Sequence, residues 1–183
     1  MRLFVAADLS EVQIAELGEV VTAAQLKLGD DALRWIPREN WHGTLAFLGS
    51  RESEEIDEIR RVVGETVKGC EVIRCQPDRL KPMPHRSSVR LLALWAFAST
   101  QLSQLYADLN VKLGVKDRRR RFQFHVTVAR VRPHKVADLQ GLDNLESLLG
   151  REWTLPSVTL YESVLRSGGS KYRPIQRWQL STE

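Results

Sequence analysis

The stretches Asn40-Trp41-His42-Gly43-Thr44-Leu45-Ala46-Phe47-Leu48-Gly49 and Phe122-Gln123-Phe124-His125-Val126-Thr127-Val128-Ala129-Arg130-Val131 decide the fold. Both are strand-length runs of β-branched, aromatic and aliphatic residues, and each carries His-x-Thr. Successive side chains in a strand alternate between faces. His42, Thr44, Ala46 and Leu48 should therefore share one face, with Gly43, Leu45 and Phe47 on the other. By the same rule His125, Thr127 and Ala129 lie together, opposite Phe124, Val126 and Val128. One copy of so short a pattern means little. Two copies, each in a strand and each midway through its half of the chain, predict a shared cleft in which the two imidazoles face each other.

Working outward, a strand is expected at Leu3–Asp8. Ser10 caps a helix Glu11–Leu28, whose apolar residues recur near a period of 3.6. The first His-x-Thr strand, Trp41–Leu48, ends at Gly49-Ser50, and a second helix Glu54–Val67 closes at Gly69. Strands follow at Glu71–Gln76 and Val89–Phe97, separated by a Pro-rich loop at Pro82–Pro84. A third helix runs from Ser99-Thr100 to Leu113, followed by the second His-x-Thr strand. A short helix near Val136–Leu149, a strand Ser157–Leu165 and a last strand around Ile175–Leu180 complete the chain. Helices interleaved with strand pairs that lack a helix between them give an α+β class. With no long linker, residues 1–183 read as a single bilobal domain.

Bulk properties narrow the function. At 183 residues the chain can bury a sizeable core. Its longest apolar stretch, Leu91–Ala98, is far too short to span a bilayer, and its first residues lack a secretory pattern. No membrane role and a cytoplasmic location are expected. Cys70 and Cys75 are the only cysteines, and neither a disulfide framework nor a zinc site is expected of them. Net charge is +4, but residues 79–135 hold 13 Lys/Arg against Asp108 and Asp117 alone, so the rest of the chain is net acidic. That asymmetry suggests a basic face for a polyanion.

Paired histidines suit phosphodiester cleavage. One group must take a proton from water while another gives one to the leaving oxygen, and an imidazole does either near neutral pH. Hydroxyls and arginines can hold the non-bridging oxygens. Neither motif sets an Asp or Glu beside its His, so no metal and no cofactor is expected.

The Arg34-Trp35-Ile36-Pro37 … Asn40–Gly49 and Phe122–Val131 segments, with Arg2-Leu3-Phe4-Val5-Ala6 at one end and Tyr172 … Trp178-Gln179-Leu180 at the other, resemble the RNA 2′,3′-cyclic phosphodiesterases (2′-5′ RNA ligase-like proteins) of the two-histidine phosphoesterase superfamily. The resemblance covers nearly the whole chain. It implies a bilobal fold of two curved antiparallel sheets with outer helices around a central basic cleft, its lobes related by a pseudo-twofold. It further implies hydrolysis of RNA 2′,3′-cyclic phosphate ends to 2′-phosphates, with reverse 2′-5′ ligation, of tRNA halves for example, as the same chemistry run backwards. His42 would be the proton donor and His125 the base, an assignment that rests on the family alone. Thr44, Thr127 and Arg130 would contact phosphate. A monomer is expected.

Two residues depart from the pattern. Phe124 stands where relatives usually have proline, and would change backbone rigidity or offer the cleft an aromatic wall. Gly43 occupies a position often held by a larger apolar residue, on the face away from the cleft. Arg130 poses a problem of parity, since alternation puts it opposite Thr127. Either a bulge near Ala129–Arg130 re-aims it, its side chain reaches round the strand end, or it is structural. Further candidate substrate contacts are Phe124, Tyr172 and His85, with Trp41 also able to stack a base. The run Arg118–Arg121 could track an RNA backbone or form a solvated loop. Two other readings compete: an enzyme of the superfamily with a different target (a small cyclic nucleotide, a 2′-5′ oligoadenylate or ADP-ribose cyclic phosphate), and a non-catalytic RNA-binding module. Intact His and Thr in both motifs argue against the second.

Overall fold

The structure, a computed structural model, describes residues 1–70, 73–85, 88–115, 122–139, 142, 151–166 and 169–180. In chain order it contains β1 (Arg2–Ala7), α1 (Glu11–Leu28), β2 (Leu33–Trp35), β3 (Gly43–Ser50), α2 (Ile56–Val67), β4 (Ile73–His85), β5 (Ser88–Ala98), α3 (Thr100–Lys112), β6 (Phe124–Val131), β7 (Trp153–Leu155), β8 (Ser157–Arg166) and β9 (Gly169–Gln179). The class is α+β, as expected. None of the helices among the described residues is long and apolar enough to cross a membrane.

The strands form one curled antiparallel sheet in the order β7-β4-β5-β6-β3-β1-β8-β9, with β2 pairing β6 off this path. The two expected sheets are thus arms of one. They join between β3 and β6, where a single residue pair is in register, Gly43 with Val126. That pair is the middle of both His-x-Thr triplets. Around the join the chain is wired alike on each side: β1 leads through α1 to its neighbour β3, and β5 leads through α3 to its neighbour β6.

Local chemistry sets the helices. Ser10 and Gln13 make a capping box at α1, with Gln13 N donating to Ser10 Oγ (3.3 Å) and Ser10 N to Gln13 Oε1 (2.8 Å). Ser99 Oγ accepts from Leu102 N at the start of α3 (3.2 Å). The helices bury one face of the sheet: Leu92, Leu94 and Ala96 of β5 share a core with Leu102, Leu105 and Leu109 of α3. Each such fully buried aliphatic side chain contributes ~1.5–3 kcal/mol. On the opposite face of β5, Leu91 and Trp95 are half-exposed and Phe97 is exposed.

Three sequence expectations need correcting. The Pro-rich segment at Pro82–Pro84 is strand, not loop, and β4 runs unbroken from Ile73 to His85. Proline is excluded from strand interiors because it lacks an N–H for the ladder. Here β7 pairs Ile73–Cys75, and beyond that point, among the described residues, β4 is hydrogen-bonded on one side alone, to β5. Pro77, Pro82 and Pro84 all fall in that stretch. The last strand starts at Gly169 rather than near Ile175, because its whole length pairs with β8. The three-residue strands β2 and β7 were not anticipated. Of the helix expected near Val136–Leu149, residues 136–139 are non-helical and most of the remainder lies outside the described residues, as does Arg118–Arg121. Cys70 and Cys75 are free thiols, and burial pushes the Cys75 thiol up to about 12.

Candidate active site

His42 precedes β3 by one residue, and His125 is the second residue of β6. The two rings are held the same way. His42 Nδ1 lies 2.8 Å from the Asn40 carbonyl, and His125 Nδ1 lies 2.9 Å from that of Gln123. A carbonyl oxygen can only accept, so Nδ1 donates in both rings and Nε2 is left as the group available for proton transfer. His42 Nε2 stands 3.1 Å from Thr44 Oγ1, as period-two geometry requires. Extending the antiparallel register by one residue either side of the Gly43–Val126 pair sets His42 opposite Thr127 and Thr44 opposite His125, all four on one face.

The question of Arg130 is resolved by a bulge. On β6, Ala129 pairs with Leu92 and Thr127 with Ala93, so Val128 has no opposite number. One extra residue reverses the parity beyond it. Arg130 therefore returns to the face of Thr127, and both line the same pocket. The bulge sits at Val128 rather than at Ala129–Arg130. Strand β3 does the same at the same offset: Ala46 pairs with Val5 and Thr44 with Ala6, which skips Leu45. Phe47, expected on the far face, is thereby turned into the pocket. The bulged carbonyls are both satisfied, by different means. Leu45 O accepts from the buried side-chain amide of Asn110 on α3 (2.9 Å), and Val128 O accepts from Ile36 N (2.8 Å).

The pocket has a volume of about 350 Å³, within the range of small-ligand sites. Arg2, Arg34, Arg130, His42, Thr44 and Thr127 are among its lining residues, whereas His125 is not, and among the described residues no carboxylate lines it. Arg34 on β2 is in register with Arg130 on β6. Like charges opposite each other are unfavourable in a sheet, and an anion between them reverses the sign. Among the described residues, no three His, Cys, Asp or Glu side chains come together in a way that could hold a metal.

His42 is enclosed by aromatic rings, Phe4 at 4.9 Å and Tyr172 edge-on at 5.1 Å. Burial pushes its pKa below the usual 6.5; the Asn40 carbonyl and the Asp8 carboxylate act upward, while His125 and Arg130 add to the lowering. Asp8 was missed in the sequence. It is buried at the end of β1, where Ser157 Oγ (2.6 Å), Thr159 Oγ1 (2.6 Å) and Tyr161 OH (2.7 Å) donate to it and Arg177 Nε lies 3.3 Å away. Burial first, and then its bond to Asp8, push the Tyr161 phenol up to about 12, so it remains a donor.

The other candidates divide. Tyr172 lines the pocket. Trp41 is core, its indole N–H donating to Ile36 O (3.0 Å). The expectation of an aromatic wall at Phe124 is not met: the ring is 1% exposed and lies where a Cβ on Gly43 would have to go. The two departures from the pattern are thus one compensated pair, a ring filling the space of a missing side chain. His85 ends β4, paired with Ser88, and its side chain lies outside the described residues. Arg34 stood inside the quoted signature, but its role depends on a strand of three residues.

Residues 11–166 match the family described as the 2′-5′ RNA ligase superfamily. The chain is similar to RNA 2′,3′-cyclic phosphodiesterases of Methanocaldococcus jannaschii (24% identity, covering 97% of this chain and 100% of the relative) and Methanothermobacter thermautotrophicus (28% identity, 98% and 99%). Its fold is similar to that of the solved structure of TT0787 of Thermus thermophilus, with a TM-score of 0.79 and 22% identity over 98% of each chain.

Proposed function

Because the chain belongs to the 2′-5′ RNA ligase superfamily, we propose that it hydrolyses RNA 2′,3′-cyclic phosphate ends to 2′-phosphates by acid–base catalysis between His42 and His125. The observation that carries this reading is the Gly43–Val126 pair, which sets the two His-x-Thr triplets side by side, next to a pocket whose described lining holds His42, Thr44, Thr127 and three arginines and no carboxylate. The relatives named as RNA 2′,3′-cyclic phosphodiesterases support the substrate.

The cyclic phosphate monoanion sits among Arg34, Arg130, Thr44 and Thr127, which hold its non-bridging oxygens. His125 Nε2 takes a proton from water as the water oxygen attacks phosphorus. The bond from phosphorus to O3′ breaks, and protonated His42 gives its Nε2 proton to that oxygen. The products are a 2′-phosphate and a free 3′-hydroxyl, with His42 neutral and His125 protonated until solvent restores them. The direction of assignment follows the family resemblance. This chemistry needs no metal, and with the 5′-hydroxyl of a second RNA attacking in place of water, the same break of the bond from phosphorus to O3′ leaves a 2′-5′ phosphodiester and a free 3′-hydroxyl, which is the 2′-5′ ligation of RNA pieces such as tRNA halves. All the groups it uses come from one chain, so the working unit is a monomer of one bilobal domain, its lobes related by a pseudo-twofold through the Gly43–Val126 pair. A cytoplasmic site of action goes with this reading.

The test is turnover of a cyclic-phosphate-ended RNA in EDTA by the wild type, His42→Ala and His125→Ala. Full activity in the wild type and a large loss in both variants is expected. Unchanged cleavage by both variants would overturn the mechanism.

A further inference from the structure

The open face of β5 carries a row of rings that neither the core nor the proposed chemistry uses. Trp95 is in register with His125 on the neighbouring strand, so their side chains stand on one face about 5 Å apart at Cβ. Phe97 follows on the same face about 7 Å further along the strand and is 61% exposed. On the other side of β5, Arg79 is in register with Trp95 and Lys81 with Ala93. Lys81 Nζ lies 3.9 Å from the centre of the Trp95 ring. Asp78, displaced by a bulge, balances part of this charge, at 3.0 Å from Arg79 Nε and 3.6 Å from Lys81 Nζ.

We propose that this face is a stacking track for single-stranded RNA leading away from the pocket, with Trp95 and Phe97 taking successive bases on the 5′ side of the reacting end. The proposal rests on the function proposed above and names the part of the substrate that gives affinity. Four features point to RNA rather than another occupant. The track adjoins the pocket, because the Trp95–His125 pair is followed on the same face by Ala93 with Thr127, which lines it, and a 2′,3′-cyclic phosphate can only terminate a strand, so the remaining chain must leave the pocket in the 5′ direction. Rings spaced along a strand accept bases of any sequence, since every base has a π-face. Lys81 and Arg79 flank the rings where a phosphate backbone would run. A base on Trp95 displaces the Lys81 ammonium from the ring towards that backbone, and a base–ring stack outweighs one exposed cation–π contact.

The experiment compares kcat/KM for a short RNA ending in a 2′,3′-cyclic phosphate with that for a 2′,3′-cyclic mononucleotide, in the wild type, Trp95→Ala, Trp95→Phe and Phe97→Ser. Affinity for the same RNA ending in a plain 3′-phosphate is measured alongside by fluorescence anisotropy. Trp95→Ala and Phe97→Ser should each lower the oligonucleotide value by ~5–100-fold and leave the mononucleotide value unchanged, while Trp95→Phe retains most of the wild-type value. Phe97 is exposed, so its variant keeps the test independent of folding. Equal losses on both substrates, or RNA affinity unchanged in both variants, would overturn the track. If the wild type binds the RNA but cleaves neither substrate, the proposed function falls, while weaker binding by Phe97→Ser still supports the track.

Discussion

His42 and His125 each donate Nδ1–H to the carbonyl two residues before them, each has a Thr two residues later, and each strand bulges three residues after its His. What surrounds these equal frames differs. The His42 half is walled by Phe4 and Tyr172 and backed by the Asp8 cluster. The His125 half lies beside the open face of β5. Beyond the bulge, one strand delivers Phe47, with the Arg2 guanidinium 5.1 Å from its ring centre, and the other delivers Arg130. The repeated backbone fixes where two proton-transfer groups stand. The unrepeated surroundings decide which half is desolvated and which half meets charge.

The largest effect should come from the histidines themselves. His42→Ala and His125→Ala should each lower kcat by ~10²–10⁴-fold, and the double variant should lose little more than the worse single one, because paired groups act as a unit. Additive losses would show that the halves act independently. Next come the positions after the bulges. Arg130→Ala should cost ~10²-fold in kcat/KM, as for one lost donor to a charged transition state, with partial recovery in Arg130→Lys. Phe47→Ala should cost less and act mainly on KM. A reversed order would mean that the charge of the site does not reside where the bulge puts Arg130.

The central pair offers a stability test. Gly43→Ala should destabilise by ~1–3 kcal/mol through overlap with the Phe124 ring, measured by urea unfolding, and Phe124→Leu should restore much of it in the double variant. The same assay on Asn110→Ala should show a loss of ~1–3 kcal/mol, because Leu45 O is left without its buried donor. The other bulge has no such weak point, since its carbonyl is held by backbone. The smallest effect is electrostatic. The Asp8 charge holds the His42 pKa up against burial, so Asp8→Asn should lower it further. The limb of the kcat/KM profile that requires protonated His42, the loss of activity on the alkaline side, should then move to lower pH. An unmoved limb would show that it does not belong to His42.

Much of this was legible in the residue order, and the exceptions share a cause. Alternation placed His42 with Thr44 and His125 with Thr127, because each pair is two residues apart and lies before the bulge. It failed for Phe47 and Arg130, because a bulge is written in the pairing of two strands and not in the pattern of one. Asp8 was visible as the acid that ends an apolar strand. Its meaning came from Ser157, Thr159 and Tyr161, which reach it from β8. Phe124 and Gly43 each stand out as odd, but that one fills the space of the other is a contact across the join. Pro82 and Pro84 read as a loop because whether a strand lies at an edge is decided by its neighbours.

Those prolines also bear on how the molecule behaves among its own copies. An edge strand as long as β4 would ordinarily present a ladder of free N–H groups on which a second chain could build a sheet. With Pro77, Pro82 and Pro84 along that edge, the ladder is missing rungs where β7 no longer covers it. The hairpin that carries the Trp95 face can therefore stay long and extended without becoming a template for aggregation.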